Sequence, residues 1–291
     1  MVEAEENTKP LRGMQVLTLA VNVPGPVAAA RLRGLGATVV KVEPPEGDPL
    51  ARANRDWYEA LVAGQKVIRL NLKETEDRAQ LDELLGESDL LLTATRPAAL
   101  ARLGLGWPEL HARYPRLSQT AIVGYPAPED NVPGHDLTYL AGLGLLTPPE
   151  LPRTLLADLA GAERAVSASL ALLLGRELGL GTGYVQVPLA EAAAFFAEPL
   201  HYGITAPGEE LGGGLPGYNL YRAREGWISV AALEPHFWRR LLDELGLQTA
   251  NREELASAFL SRTAEEWQSW AAERDLPIAA VREAPPMKEG G

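Results

Sequence analysis

A chain of 291 residues with 46% apolar side chains holds enough hydrophobic material for one large domain or two unequal ones. Its net charge of −12 argues against nucleic-acid binding, which needs a broad basic surface, and no run reaches the roughly 18 apolar residues of a membrane span. There is no cysteine, which excludes disulfides, thiolate catalysis and zinc–thiolate sites and suits a cytoplasmic protein.

The opening MVEAEENTKP (1–10) is acidic, lacks the basic-then-apolar pattern of a signal peptide, and reads as a flexible, solvated tail. MQVLTLAV (14–21) predicts a strand. PGPVAAARLRGLG (24–36) predicts a helix, with Pro26 in its first turn and Gly36 past its end. ATVVKVE (37–43) is the next strand. After KVIRLNL (66–72), Thr75 can cap a helix that runs to about Leu85 with acidic residues in its first turn. DLLLTA (89–94) is the third strand and LSQTAIVG (117–124) the fourth. Strands separated by helices point to an α/β fold with a parallel sheet covered on both faces.

A long Ala- and Leu-rich helix is expected from about Leu156 to Leu178. Beyond Glu191 the pattern changes: PGEELGGGLPGYNLY (207–221), dense in glycine and proline, reads as a linker. GWISVAAL (226–233) predicts a strand and EPHFWRRLLDELGL (234–247) a helix, with helical segments near 251–261 and 263–273. LPIAAV (276–281) is a last short strand. No fixed-period repeat is visible, which excludes a solenoid.

A parallel sheet binds nucleotide-like ligands at the C-terminal ends of its strands. NAD is the first candidate. Its glycine triplet is absent, because the first turn reads NVPGPVAAA with one glycine. Glu43 ends the second strand, where a ribose-binding acid would sit, but a strand-end surface acid explains it more simply.

Three segments place an ionisable side chain at the edge of an apolar element: His135 and Asp136 in PGHDLTYL, Asp158 in LLADLAGAERA, and Glu234 in VAALEPHFW. Burial there raises a carboxylate's pKa and lowers a histidine's, towards the range useful for proton transfer. Each also has a structural explanation. His135 or Asp136 can cap the helix that follows, Asp158 can be an N-cap, and Glu234 can be a first-turn acid beside Pro235.

VPGPVAAARLRGLGATVVKVEPPEGDP (23–49) resembles the opening of the family III CoA-transferases. NLK (71–73), RPAALARLGLGWPEL (96–110) and YPRLSQTAIVGYP (114–126) are similar to later segments of the same family. The family includes formyl-CoA transferase, carnitine-CoA transferases and 2-methylacyl-CoA racemases. Within the family, the sequence looks most like the racemase branch. GHDLTYLAGLG resembles its segment with the catalytic histidine, LLADLAG its segment with the catalytic aspartate, and GGGLPGYNLYRAREGWISVAALEPHF its stretch whose glutamate pairs with that histidine. The resemblance spans residues 11 to about 284.

Carried across, it implies a catalytic set of His135, Asp158 and Glu234. A thioester's α-proton is acidic because the carbanion delocalises into an enolate. Inversion then needs one group on each face: neutral His135 accepting and protonated Asp158 donating, or the reverse. Glu234 would fix the imidazole's tautomer. Backbone N–H groups at a helix start near Asp158 would stabilise the enolate. In transferases of the family the position of Asp158 is instead the nucleophile that forms an acyl anhydride. A catalytically degenerate CoA-binding homologue is a third reading.

No permanent cofactor or metal is implied; coenzyme A enters as part of the substrate. Lys41, Lys66, Arg96 and Arg102 are its candidate contacts, with Arg69 read as ordinary surface. The implied fold is a large Rossmann-like α/β domain over 11–190 completed by 276–291, a linker over 191–225 and a smaller α+β domain over 226–275. Two chains would interlock as a homodimer, and no nucleic acid or membrane is an expected partner. Family members generally continue several dozen residues further, so the resemblance implies a C-terminally shortened chain. AAAFFAEPLHYG (192–203) could line an acyl channel, but its pattern fits helix core better.

Overall fold

The computed structural model describes residues 9–283. The chain divides into two compact units, one up to Ala197 and one from Glu198. Most of the expected N-terminal tail (1–8) and the last part of the stretch expected to complete the large domain (284–291) lie outside the described residues.

The first unit runs β1 (Gln15–Thr18), α1 (Pro24–Gly34), β2 (Thr38–Glu43), α2 (Pro49–Ala53), α3 (Arg55–Val62), β3 (Lys66–Arg69), α4 (Thr75–Glu87), β4 (Leu90–Thr93), α5 (Pro97–Arg102), α6 (Trp107–Arg113), β5 (Ser118–Val123), α7 (Asp136–Ala141), α8 (Leu156–Glu177), β6 (Tyr184–Pro188) and α9 (Leu189–His201). The six strands form one parallel sheet in the order β3-β2-β1-β4-β5-β6. This is the doubly wound order of dinucleotide-binding folds. Helices cover both faces, so β4 and β5 are buried at every residue.

Alternate side chains of one strand serve different cores. Val16, Leu90 and Leu92 join the cluster under α1 and α8, with Leu32 and Val166. Leu17 and Leu91 join the opposite cluster, with Leu81 and Leu85 of α4 and Leu110 of α6. Small residues let α8 approach closely: a Cβ on Gly161 would lie 2.1 Å from Leu189 Cδ2. At the β1–α1 turn a Cβ on Gly25 would lie 2.3 Å from Ala20 Cβ, so only glycine permits that approach.

Several sequence expectations change. Glu74, not Thr75, occupies the N-cap of α4, and Thr75 is already helical. Strand β6 carries no strong signal: it is five residues long, includes Gln186, ends in Pro188 and leads straight into α9. Its edge position tolerates both the proline and the partial exposure. Residues 191–225 are not a simple linker, since α9 continues to His201 and β7 (Tyr218–Arg222) pairs with its successor.

In the second unit β7, β8 (Trp227–Ala231) and β9 (Ile278–Ala280) form an antiparallel sheet, accompanied by α10 (Pro235–Leu245), α11 (Arg252–Phe259) and α12 (Ala264–Ala272). Residues 278–280, expected to complete the large domain, pair with β8 instead. The core is aromatic. Trp267 packs edge-on against Phe259 and Trp270, and its indole N–H donates to the Phe259 carbonyl at 2.8 Å. Asn251–Glu254 and Thr263–Glu266 close capping boxes on α11 and α12.

Candidate active site

The C-terminal ends of β1, β4 and β5 open into a cavity of about 230 Å³. Its lining includes Asn22, Arg96, Asp130, His135, Tyr139 and Asp158. His135 and Asp158, far apart in sequence, thus face one space. His135 occupies the N-cap position of α7 in extended backbone conformation and is exposed. Its N–H donates to Thr138 Oγ1 at 3.0 Å, and its carbonyl accepts the Thr138 N–H at 2.8 Å, which closes the first turn.

The loop before His135 is shaped around the Tyr139 ring. A Cβ on Gly134 would lie 2.4 Å from Tyr139 Cε1, and one on Gly124 would lie 2.6 Å from the Tyr139 hydroxyl. Tyr125 meets the same ring edge-on at 5.1 Å. Burial, then Tyr125 and Asp158, push the Tyr139 phenol up to about 12.

Asp158 lies in the first turn of α8 and is only 8% exposed. It is not a cap. Its own N–H donates to Oδ1 of Asp136, 3.0 Å away and 22 residues earlier. That bond removes the Asp158 N–H from the helix-start donors expected to stabilise an enolate. Asp136 is itself 6% exposed. Burial first, then the neighbouring charge of Asp136, raise the Asp158 carboxyl to about 6, with His135 opposing.

A second cavity of about 460 Å³ opens on the same edge of the sheet, lined among others by Leu19, Val42, Glu43, Leu70, Leu72 and Leu100. Val21 borders both cavities. Glu43 is not a surface acid: it is 2% exposed and accepts the Tyr58 hydroxyl at 2.5 Å. Arg69 stands 3.8 Å from Glu43 Oε2.

The candidate CoA contacts divide. Arg96 is exposed and lines the smaller cavity. Lys41 is fully buried, with its ammonium 2.8 Å from Asp48, 3.1 Å from the Ala20 carbonyl and 3.4 Å from Glu43. It donates to Asp48 and to the Ala20 carbonyl and pairs with Glu43, and a side chain so enclosed is not presented to a phosphate in solvent. Lys66 is the first residue of β3 and borders neither cavity, both of which lie at the C-terminal ends of the strands. Arg102 closes α5, is exposed and borders neither cavity.

Glu234, in the second unit, is the exposed N-cap residue of α10 rather than a first-turn acid. Its carboxylate does not cap that helix and makes no hydrogen bond or ion pair among the described residues. Phe195 and Phe196, expected in helix core, are 63% and 51% exposed.

Sequence reasoning passed over Asp136 as an anchor, Tyr139, and Asn22. Asn22 is a non-glycine residue at φ 71 whose N–H donates to Asp48 at 2.9 Å. The one available signal was the pair of glycines framing Tyr139; the Asp48 and Asp158 contacts have no local signature.

The pattern of CoA-transferase family III matches residues 11–287. The chain is similar to the cinnamoyl-CoA:phenyllactate CoA-transferase of Clostridium sporogenes, at 26% identity over 96% of this chain and 79% of that one. It is also similar to alpha-methylacyl-CoA racemase of Mus musculus, at 28% identity over 88% of this chain and 74% of that one. Among solved structures it is similar to the Mycobacterium tuberculosis protein Rv3272, with a TM-score of 0.82 and 27% identity over 94% of this chain and 84% of that one.

Proposed function

The chain belongs to CoA-transferase family III, and from that premise we propose that it inverts the α-carbon of a 2-methylacyl-CoA, as a racemase or epimerase. The observation that carries this reading is the shared cavity of His135 and Asp158. An acid–base pair must reach the two faces of one carbon, and the pKa of each must lie near the working pH. A carboxyl raised to about 6 can both hold and release a proton near neutrality. In the forward direction His135 takes the α-proton, the electrons delocalise onto the thioester oxygen, and Asp158 returns a proton to the other face. The reverse sequence serves the other enantiomer.

Coenzyme A enters as part of the substrate, and no metal or permanent cofactor takes part in this scheme. Its nucleotide suits the larger, apolar cavity at the strand ends, with Arg96 at the edge of the smaller one for a phosphate or the pantetheine arm. Glu234 of the partner subunit would orient His135 in an interlocked homodimer. The exposed rings of Phe195 and Phe196 support such a pairing, because apolar surface of this kind marks contact sites.

A second reading, CoA transfer between carboxylic acids, is favoured by the transferase names among the relatives. In that reaction the Asp158 carboxylate attacks the thioester carbonyl, forms an acyl anhydride and expels the CoA thiolate. The thiolate then attacks the aspartyl carbonyl of the anhydride, releasing the first acid and leaving Asp158 as a CoA thioester. An acceptor carboxylate attacks that thioester to form a second anhydride and expels the thiolate, which attacks the acceptor's carbonyl to give the new acyl-CoA and free Asp158.

Incubation of a chiral 2-methylacyl-CoA in D₂O without an acceptor acid separates the two. Deuterium at the α-carbon, lost in His135→Ala and in Asp158→Asn, supports racemisation. Acceptor-dependent CoA exchange without α-deuteration, with hydroxylamine trapping at Asp158, would replace it by transfer. Binding of acyl-CoA with neither activity would leave a degenerate homologue.

A further inference from the structure

Helix α5 begins without a cap of its own. Pro97 at its first position has no N–H, so the Ala98 N–H is the first donor that the helix leaves without an internal partner. Arg96, in the N-cap position, carries side-chain donors only and cannot accept it. The acceptor comes from 33 residues away: Oδ1 of Asn131 takes the Ala98 N–H at 3.0 Å. Asn131 in turn donates through Nδ2 to Oδ1 of Asp130 at 2.9 Å, and the other oxygen of Asp130 accepts Nε2 of Gln186 on β6 at 3.0 Å. These two side chains tie one loop both to the start of α5 and to the edge of the sheet. Arg96 stands at one end of the tie and His135 a short way along the loop from the other, and both line the cavity.

We propose that Asn131 is a positioning residue that holds the ligand contact Arg96 and the base His135 in register with each other. This rests on the roles given to those two residues above. A helix of six residues, such as α5, is too short to be stable on its own backbone bonds. His135 is exposed, and the loop that leads to it closes two turns on itself, Glu129 N–H to the Pro126 carbonyl and Val132 N–H to the Glu129 carbonyl. Neither turn reaches another element. The borrowed cap and the two amide bonds to Asp130 supply the missing connections. A carboxamide suits the task because it accepts from Ala98 and donates to Asp130 at once, whereas an ionised aspartate could only accept. Asn131 is itself exposed and does not line the cavity, so it acts through Arg96 and His135 rather than on the substrate.

The test uses the full chain. Hydrogen exchange at the Ala98 amide, read by NMR, should be about fivefold faster in Asn131→Ala, which removes the cap, and slow again in Asn131→Asp, whose carboxylate accepts the same N–H. Affinity for an acyl-CoA, read by calorimetric titration, should fall severalfold in Asn131→Ala and return in Asn131→Asp. In an Arg96→Ala background Asn131→Ala should weaken binding no further, because its effect on affinity runs through Arg96. In α-deuteration assays Asn131→Ala should raise KM and lower kcat together, since both ends are released. Unchanged exchange at Ala98 would overturn the tether. A binding loss that repeats in full in the Arg96→Ala background, or an unchanged kcat, would overturn the positioning role. Exchange and binding need no turnover, so a parent protein that binds acyl-CoA without deuterating it counts against racemisation alone and leaves those two measurements to decide the role of Asn131.

Discussion

The Lys41 ammonium donates to Asp48 Oδ2 at 2.8 Å, in a place where neither side chain touches solvent. The same Asp48 accepts the N–H groups of Asn22 and Leu50 through its other oxygen, each at 2.9 Å. A buried ion pair on β2 therefore pins the β1–α1 turn that contributes Asn22 to the cavity. This assigns Lys41 to the scaffold and removes it from the set of ligand contacts.

Lys41→Met should accordingly cost about 3–5 kcal/mol, because it strands the carboxylates of Asp48 and Glu43 in a dry interior. Urea unfolding measures the loss. The double variant Lys41→Met/Asp48→Asn should recover part of it, and an Asp48→Asn effect that simply adds to that of Lys41→Met would contradict the pairing.

Asp158 links stability to pH. Its carboxyl rises from 3.8 to about 6 on folding, so the folded state holds the proton more tightly. Relative to acidic conditions, stability is then lost as pH rises between these values, by at most about 3 kcal/mol once both states are ionised. Asp158→Asn removes that dependence. Its unfolding temperature should exceed the parent's at pH 8 and match it near pH 4, while proton transfer is abolished. Equal pH dependence in both proteins would mean that burial does not perturb this carboxyl.

Gly134→Ala places a methyl group where the Tyr139 ring lies, 2.4 Å from Cε1. Overpacking of this kind costs about 1–3 kcal/mol and should displace His135, which follows Gly134 in the chain. Both stability and activity should fall. Gly134→Ala/Tyr139→Ala should show a favourable coupling in a double-mutant cycle, since removal of the ring makes room for the methyl.

Arg96→Ala and Lys66→Ala should differ although both remove one exposed positive charge. Arg96 lines the cavity, so its loss should weaken acyl-CoA binding about tenfold or more, with a reduced dependence on salt. Lys66 lies at the N-terminal end of β3, away from both cavities, and the Lys66→Ala variant should bind as the parent does. Calorimetric titration with an acyl-CoA at two salt concentrations distinguishes them.

Much of the fold is legible in the amino-acid sequence. Four strands of the parallel sheet are continuous apolar or alternating runs between helices, and the family segments stand in order along the chain. The order of His135 and Asp158 could be read in the same way, because each sits at the start of a recognisable helix. Strand β6 could not, since an edge strand that mixes Tyr, Gln and Pro has no periodic signal of its own. Nor could the partner of β9, because three residues carry no information about which sheet will accept them.

The sequence by itself determined the alternation of strands and helices, the family, and the two segments that carry an imidazole and a carboxyl. Only the tertiary structure decided which charges are buried and which are free. Lys41 and Arg96 are both basic residues near strand ends, yet one is sealed between two carboxylates and the other faces the cavity. Asp136 and Asp158 are 22 positions apart, yet one holds the other by its backbone. Periodicity reports the faces of single elements, whereas the state of an ionisable group depends on what distant parts of the chain bring within a few ångströms of it.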